Sequence, residues 1–162
     1  MNERAIIIGS STTGKTTLLN YLREHTDTPV GESDDALKEM NGGIYPDNSE
    51  FKINVLAPKM VADVLAKDRI IFFSNTHYFK HEDLELAHSK GFIIMQLQLA
   101  REHMLTRNQK RVLDDGYSDL SRYFDSMHTY QQELHEKGLV DVVVNTDKAI
   151  DKVAAEILSH LF

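Results

Sequence analysis

The 162-residue chain has no cysteine, which excludes a disulfide framework and every thiolate metal site and fits a reducing compartment. It lacks a basic excess, since 18 Lys and Arg stand against 25 Asp and Glu for a formal charge of -7. Such a chain is a poor non-specific binder of nucleic acid or of an anionic membrane, so neither is expected as a partner. No apolar run approaches the roughly 20 residues of a membrane span. The run after Met1-Asn-Glu-Arg-Ala is too short for a secretion signal, and a cytoplasmic protein is expected. Internal repeats and linker-like stretches are missing too, so one domain is expected over 1–162, long enough to bury about 70% of its unfolded surface. His77 and His81 stand four apart, but no Glu follows the first in the H-E-x-x-H position, which argues against zinc.

What the chain does have is Gly9-Ser10-Ser11-Thr12-Thr13-Gly14-Lys15-Thr16, a complete G-x-x-x-x-G-K-[ST] phosphate loop. Ala5-Ile-Ile-Ile8 before it reads as a buried parallel strand. Leu18, Leu19 and Leu22 after it share one helix face. Strand, loop and helix thus come in the order that aims successive backbone N–H groups at phosphate oxygens, with Gly9 and Gly14 permitting the turn and the close approach. Ser10, Ser11, Thr12, Thr13 and Thr17 complete the expected cradle. Lys15 is expected to reach the outer phosphates and the Thr16 hydroxyl to ligate Mg²⁺, so ATP and Mg²⁺ are the expected cofactors.

Downstream, the segment Thr26 to Asp35 contains a short strand, closed by acids, that Pro29 confines to a sheet edge, Ala36 to Met40 is a brief helix, and Gly42-Gly43 with Pro46 a loop. Phe51 to Ala66 follows a helical rhythm, with Pro58 marking a start or a kink. Arg69 to Ser74 and Gly91 to Leu99 are further buried strands, separated by a helix over His81 to Ser89. Arg101 to Val112 is a charged helix, and Leu120, Tyr123, Phe124, Met127 and Leu134 trace a longer one ending at Gly138. Leu139 to Val144 supplies a last strand and Ile150 to Leu161 a last helix. Strands alternating with helices predict a doubly wound, three-layer α/β fold with a parallel sheet of about five strands.

Many nucleotide-binding classes share the loop, and other residues choose among them. The Asp-x-x-Gly and Asn-Lys-x-Asp strings of signal GTPases are absent. The strand Ile70 to Phe73 runs into Ser74-Asn75-Thr76 and not into the Mg²⁺-holding acid of motor-type ATPases. Phosphoryl transfer needs cations from more than one side and a carboxylate within reach of the accepting hydroxyl. Lys15, with Arg107 and Arg111 four apart on one helix face, can supply the first, and Asp34 the second.

Over nearly its whole length the chain resembles the small P-loop kinases of the shikimate kinase and nucleoside monophosphate kinase group. Glu32-Ser33-Asp34 is similar to the Asp-x-Asp that follows the second strand in shikimate kinases, which implies a metal-side role for Glu32 and a base role for Asp34. Glu50-Phe51-Lys52 resembles the stretch that grips an anionic substrate, with Lys52 in place of Arg. Leu105, Arg107 and Arg111 resemble the arginine-bearing lid helix, which implies a short lid over 101–122. Val143 to Thr146 resembles the final strand and turn beside the adenine, which implies nucleotide contact at Thr146. The resemblance implies ATP-dependent phosphoryl transfer to a small-molecule acceptor: a nucleoside, a nucleotide or a hydroxy acid.

Plainer readings stand beside these. Glu32 and Asp34 suit helix capping, Arg107 and Arg111 a solvated helix face, Lys52 an ordinary surface position, and Thr146 a cap for the last helix. Asn75 and His77 follow a strand's carboxyl end, where α/β ligands bind, and are expected at the acceptor, or else begin a turn. A second function class, a nucleotide-binding regulatory module that transfers no phosphate, is left open by the absent strand-end acid. Oligomeric state is not encoded in any of these features.

Overall fold

The structure, a computed structural model, describes residues 2–9, 15–98, 101–116, 119 and 121–162. In chain order the strands are β1 (Arg4–Ile8), β2 (Val30–Glu32), β3 (Ile70–Ser74), β4 (Ile93–Gln98) and β5 (Val142–Asn145). All pairings are parallel, in the order β2-β3-β1-β4-β5. The central strands β1 and β3 read almost wholly apolar because both faces are covered, and every residue of β3 is buried. β2 lies at the edge, as Pro29 requires, since a central strand could not spare that missing N–H.

The helices are α1 (Lys15–His25), α2 (Ser33–Met40), α3 (Ser49–Phe51), α4 (Ala57–Leu65), α5 (His81–Ser89), α6 (Arg101–Asp115), α7 (Phe124–Glu136) and α8 (Ile150–Ser159). Between α3 and α4 the backbone widens into a π-helical turn over Lys52–Leu56, and Pro58 sits in the first turn of α4, where its missing N–H costs nothing. On one sheet face Leu18, Leu19 and Leu22 of α1 and Val153, Ala154 and Ile157 of α8 pack on Ile7, Ile71, Phe73 and Leu97. On the other, Leu37, Met60, Val64, Leu84 and Leu134 from α2, α4, α5 and α7 cover Ile6, Ile8, Phe72 and Ile94. The result is the three-layer doubly wound architecture that the alternation of elements predicts.

That winding fixes where a ligand can sit. The chain leaves β1 towards the face covered by α1, whereas the helices after the flanking strands, α5 after β3 and α7 after β4, pack on the opposite face. A crevice opens at the carboxyl ends of these strands.

Three local details differ from the sequence reading. The last strand starts at Val142 and not Leu139, because Asp141 uses its N–H on the Ile94 carbonyl and its carboxylate on the Ile94 N–H, closing the approach to β5. Tyr123 is 43% exposed and lies outside the core, since a 3-10 turn over Ser121–Tyr123 precedes α7 and rotates it off the apolar face; Leu120 lies outside the described residues. The charged helix α6 runs past Val112 to Asp115, because the break comes only at Gly116, whose φ of 71° is the left-handed geometry that ends a helix.

A buried bond ties α7 to the segment after β3: Tyr130 Oη donates to the Phe79 carbonyl at 2.5 Å, and Phe79 packs edge-on to Phe72. Tyr130→Phe leaves that carbonyl without its donor, so stability should fall by about 1–3 kcal/mol. Urea unfolding reads this as a lower midpoint at unchanged slope, and an unaltered midpoint would show the bond to be energetically idle.

Candidate active site

The crevice is lined from β1 outwards. Gly9 continues β1 and donates its N–H to the Ser74 carbonyl at 3.0 Å, which holds the start of the phosphate loop against the end of β3. Ser10, Ser11, Thr12, Thr13 and Gly14 lie outside the described residues. Lys15 then opens α1 with only 2% of its surface exposed, while Thr16 and Thr17 in the same turn are exposed.

Lys15 Nζ donates to Asn75 Oδ1, and Asn75 Nδ2 donates to Asp34 Oδ1 at 3.0 Å. The backbone N–H of Asn75 donates to Ser33 Oγ at 3.2 Å. These contacts follow from register: Glu32 pairs with Phe73, so the residues that continue β2 and β3 emerge side by side. Glu32 is the N-cap of α2, its Oε1 accepting from the Asp35 N–H at 2.9 Å, so the capping reading of this acid holds for one of its oxygens.

Burial governs the electrostatics. It pushes the Lys15 ammonium down from its ordinary value, against the pull of Asp34 and Glu32, and repulsion from Arg111 acts in the same direction as burial. It also raises the Glu32 carboxyl, with Lys15 opposing. Desolvation therefore disfavours the charged form of both groups, and each favours charge on the other. Arg107 stands one turn before Arg111 on α6, and both are partly buried.

Away from the loop lysine, the Tyr78 hydroxyl lies 3.1 Å from that of Tyr45, and Lys52 Nζ donates to Tyr45 Oη at 3.1 Å. The Lys52 ammonium rides 5.2 Å above the Tyr45 ring and 5.7 Å above that of Tyr78. Tyr78 is 8% exposed, and burial, reinforced by the bond to Tyr45, raises its phenol well above the usual range. Asp34 and Asn75 both act on that phenol, which connects the Lys52 end of the crevice to the Lys15 end. The sequence passed over both tyrosines, and the signal for Tyr78 was its place in the same strand-end segment as Asn75. Gln96, in register with Ile8 on β4, was also passed over. It is 4% exposed with Oε1 lacking a donor among the described residues.

Two expected residues are not drawn into this group. Thr146 spends its N–H and hydroxyl on the Gln98 carbonyl, at 2.9 and 3.1 Å, and does not cap the last helix, whose N-cap is Ala149. His77 turns towards α7: Ser126 Oγ lies 3.2 Å from Nε2, and the ring packs on Tyr130 at 4.8 Å. With Phe79, Lys80, His81, Glu82 and Tyr130 it lines a cavity of about 390 Å³ that includes neither Lys15 nor Asp34.

The donor set suits a magnesium nucleotide. A buried ammonium opens a helix next to the end of a central strand, and the surrounding hydroxyl and carboxylate oxygens are the hard ligands Mg²⁺ prefers. No helix among the described residues is long and apolar enough to cross a membrane.

Comparison with known proteins places the fold in a structural class. No protein-family model matches the chain, and no curated protein matches it at a significant level. Among solved structures it is similar to the shikimate kinase of Aquifex aeolicus vf5, with a TM-score of 0.72 at 20% identity over 98% of this chain and 95% of that one. It is similar to the Acinetobacter baumannii shikimate kinase in complex with shikimate, with a TM-score of 0.75 at 15% identity over 98% and 92%. A gluconokinase from Sinorhizobium meliloti 1021 gives a TM-score of 0.60 at 14% identity over 99% and 92%. The chain has the P-loop fold of the shikimate kinase-like group.

His77 is the one described non-glycine residue at positive φ, 77°, and burial of its ring lowers its affinity for a proton. Its folded value lies below the ordinary value of about 6.5, so the unfolded chain binds more protons between the two. The stability held by neutral His77 is complete above about pH 6.5 and declines as pH falls towards the folded value. His77→Asn, which tolerates the left-handed backbone, should flatten this component. The measurement is the difference in urea midpoint between wild type and variant at pH 5.5 and 7.5, and an equal difference at both would refute it.

Proposed function

We propose that the chain is an ATP-dependent kinase that transfers a phosphoryl group to a hydroxyl of a small-molecule acceptor. The observation that carries this reading is the convergence of a buried Lys15 ammonium, by way of Asn75, with the Asp34 carboxylate at the strand ends of a kinase-type fold.

Phosphoryl transfer requires little covalent work of a protein and depends on positioning and on cancelling charge. In this reading residues 9–17 hold the triphosphate, Thr16 and Glu32 would ligate Mg²⁺, and Thr146 borders the nucleoside. When bound, the magnesium nucleotide supplies the transferable phosphoryl group. Lys15 cancels negative charge on the phosphate oxygens from the α1 side, Arg107 and Arg111 from the α6 side, as two guanidinium forks on one helix face. Asp34 orients the acceptor hydroxyl and takes its proton. The outer end of the crevice, with Lys52 over Tyr45 and Tyr78, receives the rest of the acceptor, and a cation above two aromatic faces favours an anionic group there. Asn75 lies between the two ends. His77 faces α7 and is left without an acceptor role in this reading.

The alternative, a nucleotide-dependent binding module without transfer, is favoured by one observation: the group that meets Lys15 at the end of β3 is a neutral amide and not an acid. Equilibrium binding of nucleotide that alters affinity for a macromolecule, with no phosphorylated small product, would select it.

Lys15→Ala should lower acceptor-dependent consumption of MgATP by a factor of about 10² or more, the scale for loss of a transition-state charge partner. A metabolite-library screen that reads ADP release provides the assay. A library in which no compound raises consumption above the basal rate would count against transfer.

A further inference from the structure

Asn75 meets a cation with one end of its side chain and an anion with the other. Polarity fixes which end is which: Oδ1 alone can accept from the Lys15 ammonium, and Nδ2 alone can donate to the Asp34 carboxylate. The base of Asn75 is anchored as well, because its backbone N–H donates to the hydroxyl of Ser33, which is fully buried and adjoins Asp34 in α2. The Asn75 main chain is thus tied to the side chain of the residue next to Asp34, and the Asn75 and Asp34 side chains are what is left to move.

The holder of the lysine is a dipole and not a charge. A carboxylate in its place would add the attraction of a full negative charge to the bond that the ammonium donates, and would confront Asp34 as a like charge. An amide satisfies the ammonium and the carboxylate together and yields the ammonium more readily to a stronger anion.

Resting on the kinase reading, we infer that Asn75 is a positioning residue that makes Asp34 follow Lys15. While the ammonium rests on Oδ1, the carboxylate is held on Nδ2. When a nucleotide's phosphates draw the ammonium away, the carboxamide is released, and the carboxylate is freed to meet the acceptor hydroxyl. Arrival of nucleotide is passed to the acceptor side through one side chain.

The test follows the Asn75 side-chain amide by nuclear magnetic resonance in the full chain, the signals being assigned by their loss in Asn75→Ser. Titration with MgATP should move both amide protons along the binding curve that calorimetry gives. Lys15→Met and Asp34→Asn should each displace the same pair without nucleotide. In calorimetry Asn75→Asp should weaken MgATP tenfold or more, and Asn75→Ser by less, because only the acid pins the ammonium. Amide signals that stay in place while wild type takes up MgATP, or an Asn75→Asp variant that binds as tightly as wild type, would overturn the inference and leave the kinase reading standing. No heat from MgATP with wild type would overturn both. Should Asn75→Asp fail to fold, the resonance measurements decide alone.

Discussion

A lysine ammonium taken almost wholly out of water is the constraint on which this structure turns. Lys15 is buried at the start of α1, and a buried cation must be compensated or it is lost as a charge. The compensation comes in layers. An amide oxygen touches the ammonium directly, and the carboxylates of Asp34 and Glu32 act on it electrostatically. The amide reaches the crevice from the end of β3 and the two carboxylates from the end of β2, so the sheet has to deliver them in register.

The delivery depends on β3 lying between β2 and β1, so that β1 pairs with β3 and not with the strand that follows it in sequence. Parallel pairing of Glu32 with Phe73, and of Ile8 with Ser74, brings three strand ends to one level. The loops that leave them then differ in task. The one after β1 carries the phosphate motif, the end of β2 passes directly into α2 with Glu32 as cap, and the end of β3 provides Asn75 and then Tyr78. Capping and site chemistry are therefore not rival readings of Glu32, because a carboxylate has two oxygens and the cap bond is recorded for one.

The sequence made the fold legible because its strands are continuous apolar runs and its helices carry clear stripes, and both signals survive without tertiary information. Boundaries were less clear where side chains override pattern: Asp141 shortens β5 by bonding to Ile94, and the 3-10 turn before α7 rotates Tyr123 outwards. In the candidate site, the phosphate motif announced Lys15, and an acid after β2 announced Asp34. The bridge between them could not be read, since Asn75 lies 60 residues from Lys15 and 41 from Asp34 and nothing local marks the pairing. Tyr45 sat in a Gly- and Pro-rich loop that carries no periodic signal, and its contact with Lys52 and Tyr78 exists only once that loop folds over the crevice. His77 illustrates the converse. A strand-end position suggested the crevice, but a left-handed backbone turns the ring to α7.

The segment over 41–48 joins α2 to α3 with two glycines at positive φ, whose neighbourhood is open: a Cβ built on Gly42 or Gly43 would meet nothing within 4 Å. None of the groups around Lys15 hangs from this segment, whereas Tyr45 does. Insertions and deletions there would reshape the outer wall while leaving strand register untouched. If the kinase reading holds, a lineage could thus exchange one recipient for another by editing eight residues at the rim, with the groups around Lys15 inherited unchanged.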